Sequence, residues 1–158
     1  MLAEVVVDIV NDALGVPENF GAEVPTGMRI SEVGASRINN VNLAYVLRIF
    51  GRPPRTTACD CERGMEPALP QTLFRMTDPG LLAKMKTPSN RVGQLLKDKS
   101  VSDEKVLEEL FLATLSRVPT AAEKEVFASH RAGEKDRLSA FTDVIWALIN
   151  TREFILNH

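Results

Sequence analysis

The apolar residues at the start of the chain recur three and four positions apart, as on one face of a helix. They are Leu2, Val5, Val6, Ile9, Val10, Ala13 and Leu14. Gly15 and Pro17 then interrupt the pattern, so residues 2–14 are predicted to form an amphipathic helix. Residues 15–40 contain four glycines and two prolines with little periodicity, which predicts a long irregular connection. Only residues 27–33 alternate weakly, as in a brief strand.

A second helix is predicted over residues 40–50, with Gly51 as its C-terminal cap. Its apolar spacing places four residues toward the core. These are Val41, Ala44, Tyr45 and Ile49. Pro53 and Pro54 prevent the helix from continuing.

The second half of the chain repeats this pattern in short helices separated by Pro, Gly and Ser. Apolar positions predict helices near 69–76, 81–85 and 89–99, and Ser102 can cap the next one. Thr120 and Glu123 fit a capping box for a helix that ends near Gly133. A last helix over 135–150 points five residues inward, and Phe154 and Ile155 can extend it. The five are Leu138, Phe141, Val144, Ile145 and Leu148. The fold class is therefore all-α, an irregular array of seven or eight helices with long Pro/Gly-rich loops.

The length and composition indicate a single domain and argue against nucleic acid as a partner. A chain of 158 residues with 44% apolar and 25% charged residues suits a single helical domain over residues 1–158. The net charge of -2 disfavours nucleic-acid binding, and no apolar stretch approaches the roughly 20 residues of a membrane span. The first residues lack a signal peptide's features. We expect a C-terminal fragment of a larger protein.

The most distinctive stretch is GRPPRTTACDCER, residues 51–63, which holds both cysteines of the chain. In an extended chain, Cys59 and Cys61 point to the same side. Two thiolates do not complete the four-ligand shell of structural zinc, so a metal would need further ligands. The candidates are Asp60, Glu62, His130, His158 or a partner protein. A metal site is thus an open hypothesis, with Cys59, Cys61 and His158 as its candidate ligands.

Two other interpretations of the segment remain open. A disulfide between Cys59 and Cys61 would span about 6.6 Å if extended, near the upper end of the usual range of about 4.4–6.8 Å between bridged Cα atoms. Alternatively, charged residues clamp the irregular loop through Arg–carboxylate pairs, because guanidinium groups bind carbonyls and carboxylates well. These charged residues are Arg52, Arg55, Glu62 and Arg63. The clamped structural loop is the favoured interpretation.

Recognised catalytic templates are missing from the sequence. CDCER lacks the C-x-x-C-H arrangement, so we expect no covalently attached haem and no cofactor in this chain. No Gly-rich phosphate loop, HExxH helix or G-x-S-x-G elbow occurs. The sequence therefore leaves open whether the chain is an enzyme.

Several segments carry a family resemblance. They are GRPPRTTACDCER, EPALPQTLFRM, EELFLATLSRVPTAAE and WALINTREFILNH. With them, residues 51–158 resemble the uncharacterised C-terminal domain of planctomycete-type multidomain proteins that carry a cytochrome-c-like domain upstream. The resemblance implies an exported, extracytoplasmic parent, in which an oxidising compartment favours a disulfide between Cys59 and Cys61. It also implies that any role shared by the members of that family falls on residues of the motif and of the chain end. These are Arg52, Arg55, Cys59, Cys61, Glu62, Arg63, Asn157 and His158.

Two functions follow as hypotheses. The first is a non-catalytic helical interaction or scaffold module that packs against the upstream domains of the same parent protein. The alternative is a thiol-redox or metal-binding site at Cys59 and Cys61 that assists an enzymatic parent. An exposed apolar patch near residues 51–67 would favour the first.

Overall fold

The structure is a computed structural model that describes residues 3–20, 24–25, 27–33, 40–52, 69–134 and 136–156. Within these residues the fold is all-α, as predicted, with seven helices of eight residues or more and two of five. The helices are α1 (Ala3–Leu14), α2 (Val41–Ile49), α3 (Leu69–Thr77), α4 (Pro79–Lys86), α5 (Arg91–Leu95), α6 (Asp103–Leu115), α7 (Ala121–Gly133), α8 (Arg137–Ile149) and α9 (Arg152–Leu156). None of these described helices is long and apolar enough to cross a membrane.

A polar side chain at the N-cap position fixes where most of the described helices begin. Six helices have an Asn, Asp, Ser or Thr N-cap whose oxygen accepts a hydrogen bond from an N–H of the first turn. The caps are Asn40, Asp78, Asn90, Ser102, Thr120 and Asp136. The predicted capping box is confirmed, since Thr120 and Glu123 satisfy each other's backbone N–H groups. Local chemistry therefore sets the helix boundaries.

The buried apolar side chains form two clusters. The larger one surrounds α8, whose Phe141, Ile145 and Ile149 are fully buried, and it includes side chains of α1, α4, α5, α6, α7 and α9. The smaller one joins the first turns of α1 to α2 and to four residues between them, Phe20, Val24, Ile30 and Val33. Phe74 of α3 packs against both clusters. The two clusters are thus connected through α1 and Phe74.

Several residues predicted to face the core are exposed. Val41 is 82% exposed and Tyr45 58%, and Ala44 is also exposed, because α2 buries the opposite stripe of Leu43 and Leu47. Leu138, in the first turn of α8, is 40% exposed rather than inward-facing. The predicted positions of Phe141, Ile145 and Leu148 are confirmed.

Residues 27–33 form turns rather than the brief strand that their weak alternation allowed. A buried carboxylate holds them against α1: Asp8 accepts hydrogen bonds from the backbone N–H of Ile30 at 2.7 Å and of Ser31 at 3.1 Å. Ile30 is buried beneath this contact. The carboxylate of Asp8 therefore attaches this part of the chain to α1.

A single arginine joins the ends of three helices. After α6, Ser116 takes a left-handed conformation with φ of 56°, which turns the chain toward α7. Arg117 then contacts Glu123 in the first turn of α7 and Glu153 in α9. The sequence SRVPT thus ends one helix and places the next two.

Candidate docking surface beside the cysteine segment

The distinctive segment begins at a well-defined helix end. Gly51, with φ of 87°, donates its N–H to the carbonyl of Arg48 at 3.0 Å, and Arg52 donates its N–H to Leu47 at 2.9 Å. These two bonds are those of a Schellman motif, in which glycine takes the left-handed position. The predicted cap at Gly51 is therefore confirmed.

Among the motif residues of the cysteine segment, Arg52 lies within the described residues. Its Nε lies 3.3 Å from Oε1 of Glu4, and both side chains are mostly buried, 9% and 13% exposed. Glu4 belongs to the first turn of α1. The ion pair therefore attaches the start of the segment to the N-terminal helix.

The two helices that flank the segment also contact each other. The side-chain amide of Gln71 in α3 donates to the carbonyl of Ile49 at 3.3 Å. The rings of Phe50 and Phe74 pack edge to face with centroids 5.7 Å apart, a favoured aromatic geometry. The end of α2 and helix α3 are thus in direct contact.

Both flanking helices present apolar side chains to solvent. Helix α3 has no buried residue, and Leu69, Leu73 and Met76, spaced as on one helix face, are 71%, 48% and 42% exposed. In α2, Val41 and Tyr45 lie four residues apart and face outward. We call these five side chains the α2–α3 apolar faces.

The other residues predicted for the site lie outside the described residues. They are Arg55, Cys59, Cys61, Glu62 and Arg63 of the segment, and Asn157 and His158 at the chain end. Within the described part of the chain, no group of three or more His, Cys, Asp or Glu side chains is arranged to hold a metal ion. The thiol-redox or metal hypothesis for Cys59 and Cys61 stays a prediction.

His130, which the sequence also offered as a metal ligand, lies in the last turn of α7. Its Nε2 lies 3.2 Å from a carboxylate oxygen of Asp143 on α8, and its side chain is 39% exposed. This contact joins the two helices at their surface. It fits the ordinary solvent-facing role expected for a histidine in the last turn of a helix.

Sequence reasoning missed the α2–α3 apolar faces as a site. The signal was available in α3, where the apolar residues at positions 69, 73 and 76 recur at the spacing of one helix face. In α2, apolar residues lie on nearly all sides, so periodicity did not show which stripe is buried.

Comparison with protein families, curated proteins and solved structures finds no match to this chain.

Proposed function

We propose that this chain is a non-catalytic helical interaction module that packs against the domains preceding it in a larger exported protein. The α2–α3 apolar faces are the contact surface in this proposal. The cytochrome-c-like domain and the extracytoplasmic location of the parent come from the resemblance of residues 51–158. The observation that carries the proposal is α3, a nine-residue helix that has no fully buried residue and exposes an apolar stripe.

An apolar stripe of this kind is unusual on a surface that stays in water. Single exposed apolar residues are normal, whereas grouped ones mark contact sites. Leu69, Leu73 and Met76 lie on one face of α3. Burying a fully exposed Leu or Met side chain contributes about 1.5–3 kcal/mol, so three half-exposed ones can supply a few kcal/mol to docking.

The support beneath the α2–α3 apolar faces suits docking because it is rigid. The Phe50–Phe74 contact and the Gln71–Ile49 hydrogen bond fix α3 against α2. A surface that is already ordered loses little conformational entropy when a partner binds. The buried Arg52–Glu4 pair orders the start of the cysteine segment in the same way.

The proposal is tested by mixing this chain with the polypeptide that precedes it in the parent protein. Association is measured by isothermal titration calorimetry for the unmodified chain and for Leu73→Ser. Loss of one partly exposed leucine from the contact should weaken association by about tenfold. Circular dichroism checks that the variant is folded.

Leu112→Ser is the matched control. Leu112 lies on α6 and is 45% exposed, close to the 48% of Leu73, but it is outside the α2–α3 apolar faces. It should leave association unchanged. Failure of the unmodified chain to associate, or equal weakening by both variants, would contradict the proposal.

A further inference from the structure

A cavity of about 180 Å³ lies between α1, α2, α3 and α4, apart from the outward faces of α2 and α3. Most of its wall is apolar. The wall includes Val6, Val7, Val10, Leu43, Phe50 and Phe74. A cavity of about 150 Å³ in another protein holds one benzene molecule, so this one has room for a ligand built on a single ring.

Asn11 brings unused hydrogen-bond donors to this cavity. The residue is only 8% exposed, and its Oδ1 accepts a hydrogen bond from Nζ of Lys84 at 2.9 Å. An ammonium group can only donate, so this contact fixes which end of the amide is oxygen. The Nδ2 group of Asn11 donates to none of the described residues. Its two N–H donors are therefore available to an oxygen of a ligand in the cavity.

Arg75 brings a positive charge that lacks a counter-ion among the described residues. Its Nη1 donates to the carbonyl of Ile149 at 3.2 Å, and its Nε is buried without an acceptor there. The guanidinium is partly desolvated by burial, and this lowers the pKa of Arg75. Because a desolvated charge is stabilised by an opposite charge, this position favours an anion.

The carboxylates that line the cavity already have partners. Glu18 lies 2.5 Å from Nζ of Lys84. Asp78 is the N-cap of α4 and accepts from the N–H of Leu81 at 2.9 Å. Neither therefore replaces the missing counter-ion of Arg75.

We propose that this cavity binds a small carboxylate with an apolar body of about one ring. The carboxylate oxygens accept hydrogen bonds from Nδ2 of Asn11 and from the guanidinium of Arg75. The apolar body lies against the valines of α1 and the two phenylalanines. This site is independent of docking through the α2–α3 apolar faces.

Benzoate is the probe, titrated into the 158-residue chain by isothermal titration calorimetry. Two further probes separate its features: benzyl alcohol has the ring without the charge, and inorganic phosphate has charge without the ring. We expect saturable benzoate binding, binding of benzyl alcohol that is weaker by about tenfold or more, and no binding of phosphate. Absence of benzoate binding, or an equal affinity for either other probe, would overturn the proposal.

Asn11→Asp tests the site directly, because it replaces the two N–H donors by a repelling charge without changing the side-chain size. It should weaken benzoate binding by about tenfold or more. Gln94→Glu adds the same charge at an exposed position of α5 and should leave binding unchanged. Equal binding by the two variants would contradict the assignment.

Val46→Phe provides a second test should Asn11→Asp fail to fold. Val46 lines the cavity and is only partly buried, so a larger ring there fills space at modest cost to packing. Benzoate binding should be lost. Undiminished binding would place the ligand elsewhere and overturn the proposal.

Discussion

The guanidinium of Arg117 holds the carboxylate of Glu153 by two hydrogen bonds, Nε to Oε1 at 2.6 Å and Nη2 to Oε2 at 2.9 Å. The same guanidinium donates to Glu123 at 2.7 and 2.9 Å, and it lies 5.3 Å from the ring centre of Phe111. A planar group with five N–H donors can bind two carboxylates in this way, and a lysine ammonium cannot. This geometry makes Arg117 the connection between α6, α7 and α9.

Arg117→Lys should therefore destabilise the fold although it preserves the charge. We expect the free energy of unfolding to fall by about 1–2 kcal/mol, since the paired side chains are about one-third exposed and partly screened. Urea denaturation followed by circular dichroism measures the change. Arg48→Lys, on the exposed side of α2, is the control and should have little effect. A similar loss in both variants would show that the paired geometry is unimportant.

The pair also predicts how stability changes with pH. Hydrogen bonds from Arg117 lower the pKa of Glu123 from its ordinary 4.5 to about 2. A carboxylate with a lowered pKa in the folded state stabilises the fold above its ordinary pKa, and this contribution is lost as protons bind. The free energy of unfolding should fall between about pH 4.5 and pH 2.

Glu123→Gln isolates this contribution. The variant should be less stable than the unmodified chain at pH 7, and the difference should shrink as the pH falls toward 2. Urea denaturation at several pH values gives the two curves. Glu125→Gln, at an exposed position of the same helix, should follow the unmodified chain throughout. A difference between Glu123→Gln and the unmodified chain that stays constant with pH would contradict the expectation.

Asp8→Asn should loosen the connection between α1 and α2. The carboxylate of Asp8 accepts from two backbone N–H groups, and an amide offers only one oxygen, so one donor is left facing an NH₂ group. Unfolding should become easier by about 1–3 kcal/mol. Hydrogen exchange of the Ile30 and Ser31 amides should also accelerate. Asp12→Asn, whose side chain is 55% exposed, should change neither measurement substantially.

Gly93→Ala should be strongly destabilising for a steric reason. A Cβ atom at this position would lie 2.3 Å from the carbonyl oxygen of Pro88, and a backbone atom cannot move aside cheaply. We expect a loss of about 2 kcal/mol or more, measured by thermal denaturation. At Gly133 nothing lies within 4 Å of such a Cβ, so Gly133→Ala should be neutral or slightly stabilising. An unchanged melting temperature for Gly93→Ala would show that α5 can shift.

The helix boundaries were predictable because they depend on neighbours in the chain. The Thr120–Glu123 capping box and the glycine cap at Gly51 are each decided within a few residues, and both are confirmed. The last helix is predicted over residues 135–150, and Phe154 and Ile155 can extend it. The helix does end at Ile149 with Asn150 as its C-cap, but the extension is a separate helix, α9, from which Phe154 is buried. Neither proline nor glycine marks that break.

The contacts of the candidate site were harder to predict because they join distant parts of the chain. Nothing near Arg52 indicates that Glu4 is its partner. Likewise, Val41 and Tyr45 are apolar and spaced as on one helix face, so the sequence alone favours their burial. The packing of Leu43 and Leu47 decides instead that the other stripe of α2 is buried. The chemical role expected for Cys59 and Cys61 lies outside the described residues.

Helix α1 contributes its first two turns to the smaller cluster and its last turns to the larger one. Ala3, Val6 and Val7 lie in the former, and Val10, Ala13 and Leu14 in the latter. A helix forms cooperatively, so unwinding either end removes support from the other. The two clusters should consequently melt in a single transition, and shortening the chain from its beginning should unfold both at once.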